Sequence, residues 1–170
     1  MKLQLYFEMM AVERFFEVKQ MPIHKDPDPK GRAWPLFLAT HSRLMERIED
    51  ALARAKLPPL AWYDVLWELE KAPDQRLRMH QLAERIVLSR SNLTRLADRL
   101  EAAGLLRREP CPDDRRGSFC VITQAGLDTR KTMWPVYGEQ IEVLFARHLS
   151  VAEAEMLVKV MTRMLVVKQE

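Results

Sequence analysis

Cysteine is almost missing from this chain: Cys111 and Cys120 are the two it has in 170 residues. Two thiols so placed support neither a disulfide framework nor a four-ligand metal site, which fits a reduced, cytoplasmic compartment. Histidine is also sparse. His24, His41, His80 and His148 are scattered without metal-ligand spacing, and no HExxH occurs. The five glycines form no phosphate-cradling loop, and there is no GxSxG turn to present a nucleophile. Nothing here predicts an enzyme, a metal or a cofactor. The first twenty residues carry Glu8, Glu13, Arg14 and Glu17 inside their apolar pattern, which excludes a secretory h-region or a membrane span there.

What is abundant is apolar residues, 48% of the chain, enough for a sizeable core in one domain. The net charge is only +3, yet its distribution is uneven. From Arg76 to Lys131 there are 12 Lys and Arg against 7 Asp and Glu, a net +5 that leaves −2 for the remainder. The positive field is therefore local, as in a chain with one nucleic-acid face.

That basic region centres on LSRSNLTRLADRLEAAGLL, Leu88 to Leu106. Ser89 is a helix cap and Gly104 a left-handed stop, so a helix of about four turns is expected between them. Leu93, Leu96, Ala97, Leu100 and Ala103 fall at spacings of three and four and form one apolar stripe. The opposite face carries Arg90, Ser91, Asn92, Thr94, Arg95 and Arg99, with Ser89 at the helix start. Arg forks onto guanine, Asn onto adenine, and Ser or Thr onto base edges or phosphate, all from the first turns of a helix that fits a major groove. Asp98 and Glu101 come later, where such a helix leaves the groove.

The flanks strengthen this assignment. MHQLAERIV, Met79 to Val87, predicts a short helix with Leu82 and Ile86 on one side and Ala83 between them for close crossing. With a turn at Val87 and Leu88 it completes a helix-turn-helix. LLRREP (Leu105 to Pro110) and SFCVIT (Ser118 to Thr123) are strand-like and flank CPDDRRG, which predicts a hairpin wing. Arg115 and Arg116 are expected at its tip, where a narrow minor groove concentrates negative potential.

The order LAERIVLSRSNLTRLADRLEAAGLLRREPCPDDRRGSFCVITQAG resembles the winged helix-turn-helix of the MarR family of bacterial transcriptional regulators. Its wing pattern D-x-R, followed by V-x-L-T-x-x-G, is matched by Asp114, Arg116, Cys120, Ile122, Thr123 and Gly126, with Cys120 at the valine position. More loosely, by helix order and length, the resemblance runs from about Trp34 to Met164. It implies a double-stranded DNA partner, a wing shaped by Asp114, and dimerisation through the first and last helices. A two-fold dimer sets its recognition helices about one DNA turn apart, roughly 34 Å, and demands an inverted-repeat operator.

The outer segments fit that plan. Residues 1–32 comprise an amphipathic helix needing a partner surface (Tyr6, Met9, Met10, Val12, Phe15, Phe16) and a linker, Met21 to Arg32. Residues 33–57 and 124–170 form a helical dimerisation region, and 58–123 the winged helix-turn-helix. The chain is thus mostly α with a small β-hairpin wing. A helix from Trp34 to Lys56 has Phe37, His41, Leu44, Met45, Ile48, Leu52 and Ala55 on one face, and Leu60 to Lys71 is bounded by Pro58, Pro59 and Pro73. Thr123 caps a helix reaching about His148, bent near Pro135, with Trp134, Tyr137, Ile141, Leu144 and Phe145 on its apolar side. Ser150 and Glu153 make a capping box for a last helix through about Val167.

The resemblance further implies a repressor released by a small aromatic or anionic effector bound between the dimerisation helices and the winged domain. His41 and Trp62 are the candidate contacts, against ordinary core roles for both. Two other classes stay open: a winged-helix module that binds protein instead of DNA, for which exposed aromatics rather than basic residues would be expected on the outer face, and a cysteine-based redox regulator.

Overall fold

The computed structural model describes residues 28–86, 90–111 and 114–166, with the backbone alone at 90, 91 and 114–116. The expected N-terminal helix, most of the linker, the Val87–Leu88 turn, Ser89 and the hairpin residues Pro112 and Asp113 lie outside the described residues, as does the predicted end at Val167. The chain divides into two compact units, Met1–Arg47 and Ile48–Glu170.

Helix α1 runs Pro29–Arg54 and so begins inside the segment expected to be linker. Asp28 starts it: its carboxylate accepts from Lys30 N at 3.3 Å and its carbonyl from Arg32 N at 3.1 Å. Pro29 then occupies a first-turn position where a missing N–H costs nothing. In the first unit, Trp34, Phe37 and His41 stack in sequence, with ring centroids 6.2 and 6.5 Å apart, on an exposed surface. Burial on this helix begins only at Ile48, Ala51 and Leu52. Ala55 falls beyond the helix and is exposed.

In the second unit, α2 spans Leu60–Lys71 between the prolines that delimit it, and Glu49 Oε1 accepts from Leu60 N at 3.1 Å, pairing one of its orphan amides. A 3-10 turn, Pro73–Gln75, leads to β1 (Arg76–Arg78), α3 (Met79–Arg85) and α4 (Arg90–Ala102). Then come β2 (Leu106–Cys111), β3 (Asp114–Ile122), α5 (Gln124–Leu144), a 3-10 turn at Ala146–His148, and α6 (Val151–Leu165). The three strands are antiparallel in the order β1-β3-β2. The fold is mostly helical with a small sheet as its wing. Leu66, Leu69, Leu82, Leu93, Leu96, Leu100, Leu106 and Cys120 form the fully buried centre where α2, α3, α4 and the sheet meet.

Several boundaries differ from those expected. Ile86 caps α3 in extended conformation instead of continuing it, yet is buried. Ala103 lies past the end of α4 and is exposed, because Gly104 turns the chain at φ +72°. Helix α5 stops at Leu144, four residues early: Phe145 leaves helical dihedrals at φ −133°, ψ −63°. Tyr137, Ile141 and Leu144 are half-buried, whereas Trp134 and Phe145 stay exposed.

The joint between wing and α5 explains the T-x-x-G spacing. Thr123 Oγ1 accepts from Gly126 N at 3.1 Å and donates to the Gly104 carbonyl at 2.7 Å, while Thr123 N donates to the Leu105 carbonyl at 3.1 Å. One threonine therefore caps α5 and fastens it to the end of α4. Gly126 lies so close to the Leu105 carbonyl oxygen that a Cβ there would collide with it, and with Ile122 Cγ1 at 2.8 Å. At the other end, Ser150 and Glu153 form the expected capping box: Ser150 N donates to Glu153 Oε2 at 2.8 Å and Glu153 N to Ser150 Oγ at 3.4 Å. Ser150 Oγ also donates to Glu153 Oε2 at 2.7 Å, and this bond first, then the one from Ser150 N, holds the Glu153 carboxyl below its ordinary pKa. Helix α6 itself buries none of its residues, and among the described residues no helix is long and apolar enough to cross a membrane.

Candidate nucleic-acid interface

Helix α4 keeps its two faces apart. Leu93, Leu96, Ala97 and Leu100 are buried at the spacing read from the sequence, and Asn92, Thr94, Arg95, Asp98 and Arg99 are exposed. Arg90 and Ser91 occupy its first turn. Among the described residues no carboxylate pairs with Arg95 or Arg99. Two charged forks thus project from a helix whose other face is anchored by leucine.

The acidic residues at the rear of α4 are not idle surface charge. Asp98 Oδ1 accepts from Arg108 at 2.6 Å, and Glu101 accepts twice, from the Arg108 guanidinium at 2.9 Å and its backbone N at 3.0 Å. Hydrogen bonding to Asp98, with the nearby Glu101 charge, raises the Arg108 pKa against its own partial burial. Arg108 is therefore committed to joining β2 to α4. Sequence reasoning missed this clamp because nothing local links positions 98, 101 and 108.

On the wing, pairing runs from Leu106↔Ile122 to Pro110↔Ser118 and then steps to Cys111↔Asp114. Arg115 and Arg116 stand within this register step, in strand β3, and not in the loop expected to carry them. The strand reaches further because the irregularity absorbs residues read as turn. Strand β1, unforeseen in three residues without periodicity, pairs Arg76↔Val121 and Arg78↔Phe119. By alternation Leu77 and Cys120 face the core, while Arg76, Arg78, Phe119 and Val121 share the opposite face with Arg107 and Glu109. Arg107 bonds Glu109 at 2.6 and 3.0 Å.

With this geometry in place, known proteins sharpen the assignment. A sequence profile of the MarR family matches residues 57–117. The HTH-type transcriptional regulator MhqR of Bacillus subtilis is 32% identical over 101 residues, covering 59% of this chain and 68% of MhqR. AbsC, a MarR family transcriptional regulator from Streptomyces coelicolor, superposes with a TM-score of 0.76 at 30% identity, over 84% of this chain and 95% of AbsC. The chain belongs to the MarR family. Sco3205, another MarR family regulator from Streptomyces coelicolor, was solved in complex with DNA; it gives a TM-score of 0.77 at 28% identity, covering 81% of this chain and 87% of Sco3205. Family and fold are those of transcriptional regulators, with the winged-helix DNA-binding architecture.

Within the MarR frame, the remaining candidates sort by environment. Cys111 and Cys120 are both buried, and Cys120 Sγ lies 3.1 Å from Met79 Sδ. Burial pushes the Cys120 thiol up to about 11, which keeps it protonated and disfavours oxidation chemistry there. His41 is exposed, while Trp62 is half-buried and packed against the core, so the two have different surroundings. The sequence offers Tyr63 and Asp64 beside Trp62 near the junction of the dimerisation helices and the winged domain, but not the aromatic group that Tyr63 joins across α2 and α5. Tyr63 stacks on Trp67 and Trp134 at 6.4 and 6.2 Å and meets Tyr137 edge-on at 5.0 Å. Beside it, burial pushes Asp64 up to about 6, with the negative charges of Glu49 and Glu68 adding to the effect. The Tyr137 hydroxyl is raised too, by burial first and then by Asp64.

Proposed function

We propose that the protein is a homodimeric, sequence-specific DNA-binding repressor that reads an inverted-repeat operator and is released by a small aromatic or anionic effector. The observation that carries this is α4: a buried leucine stripe behind an exposed face bearing Asn92, Thr94, Arg95 and Arg99, the two arginines paired with no carboxylate among the described residues. Ser89, Arg90 and Ser91 complete the groove-reading set, Arg115 and Arg116 contact the minor groove from the wing, and Asp114 shapes it. In this scheme 58–123 is the DNA-binding domain, and 33–57 with 124–170 form the dimerisation region.

Exposed apolar side chains support a dimer. On α6 these include Met156, Val158, Met164 and Leu165; on the first turns of α1 they are Trp34, Leu36, Phe37 and Leu38. His41, in the first unit, and Trp62, in the second, are proposed each by itself as an effector contact. Binding to duplex fragments from around the protein's own gene, titrated at several salt concentrations, tests the function. Affinity should fall steeply with salt as several Arg per subunit displace counterions, and an aromatic acid that binds the free dimer should weaken the complex. Absence of binding, or a flat salt response, would favour a protein-binding winged helix.

A further inference from the structure

The outer face of the wing sheet holds an arrangement that α4 and the wing tip leave unused. Two guanidinium groups lie over one ring: Arg76 is 5.0 Å and Arg78 5.6 Å from the Phe119 centroid. The register explains this, since Arg78 is directly opposite Phe119 and Arg76 is two residues away on the same side of β1. Contact with the ring steadies both guanidinium groups, and Arg76 is exposed and Arg78 partly so. Two like charges gathered on one small apolar platform repel each other, a cost that an anion would relieve. Their acidic neighbours do little to offset it. Asp74, 3.4 Å from Arg76, is itself 76% exposed, and Glu109 is engaged with Arg107. Among the described residues Arg78 has no carboxylate partner.

We propose that Arg76 and Arg78, seated on Phe119, form a phosphate-binding site that grips the DNA backbone beside the wing. This rests on the DNA-binding function proposed above. Two features favour a duplex phosphate as the occupant. A guanidinium offers the planar pair of donors that matches phosphate oxygens. The site is also continuous with the interface already assigned: Phe119 belongs to β3, the strand that carries Arg115 and Arg116, and Arg78 immediately precedes α3, the helix that in a helix-turn-helix crosses the backbone. Phosphate contacts of this kind add affinity and register without reading sequence.

The test uses a duplex selected by the wild-type protein from a random pool, with an unrelated duplex beside it, and measures affinity across a salt series for Arg78→Ala, Arg76→Ala, Arg78→Lys and Arg95→Ala. Arg78→Ala should weaken binding to both duplexes by a similar factor and lower the salt slope by about 1, while Arg78→Lys keeps most of the affinity. Arg76→Ala should act in the same direction, which keeps the test decisive if one variant melts early. Arg95→Ala should instead narrow the gap between the two duplexes. If both β1 alanine variants melt normally and keep wild-type affinity and slope while Arg95→Ala loses binding, the phosphate site is refuted and the DNA-binding function stands. If the wild type selects no duplex, both fall together.

Discussion

Gly126 and Asp64 show how much a single position decides. Gly126 admits α5 against the Leu105 carbonyl, and the contact is with backbone, which cannot rotate aside. Gly126→Ala should cost about 3 kcal/mol or more in urea denaturation, at the upper end of overpacking effects. Asp64 makes stability depend on pH. Its folded pKa of about 6 lies above the ordinary 3.8, so between those values the native state binds more protons than the unfolded chain. Stability must fall as pH rises through that window and stay at the lower level above it. Asp64→Asn should flatten this dependence and raise the melting temperature at pH 8 relative to wild type. The sequence showed that the T-x-x-G glycine matched a family pattern; only the packing shows what it avoids. Asp64 was not legible as perturbed, because the main cause is burial set by tertiary packing, and Glu49, unlike Glu68, comes from another helix.

At the scale of elements, legibility followed periodicity. Leu93, Leu96, Ala97 and Leu100 repeat over three turns, and α4 is where that stripe placed it; the prolines around α2 and the Ser150–Glu153 box marked their helices equally well. Short or irregular pieces escaped. Strand β1 is three residues whose partner lies more than forty positions away, and the early start of β3 depends on a register step that composition does not encode. Because α4 presents Arg95 from a fixed helix, Arg95→Ala should lose about 1–3 kcal/mol of DNA binding and relax base preference. Arg116→Ala should weaken binding with little change in preference at the positions α4 reads. Titrating both variants against single-base operator mutants checks this, and equal, sequence-independent losses would refute base readout by Arg95.

For the whole molecule, α6 is the element with most to gain from a second copy. Its exposed Met156, Val158, Met164 and Leu165 have no cover within the described chain. Truncation after Ser150 should abolish the dimer in sedimentation velocity and reduce operator binding, whereas removal of residues 1–20 should leave a DNA-binding dimer. A stable, DNA-binding dimer without α6 would show that the interface lies elsewhere. The Arg108 clamp constrains how such a molecule can let go. Asp98 and Glu101 on α4 share one guanidinium from β2, which ties the helix to the wing strand at a preset spacing. An effector of the proposed kind would have to break this clamp to move one and leave the other engaged. In the proposed scheme release therefore means carrying α4 and β2 together out of alignment with the duplex, like a key withdrawn whole from its lock.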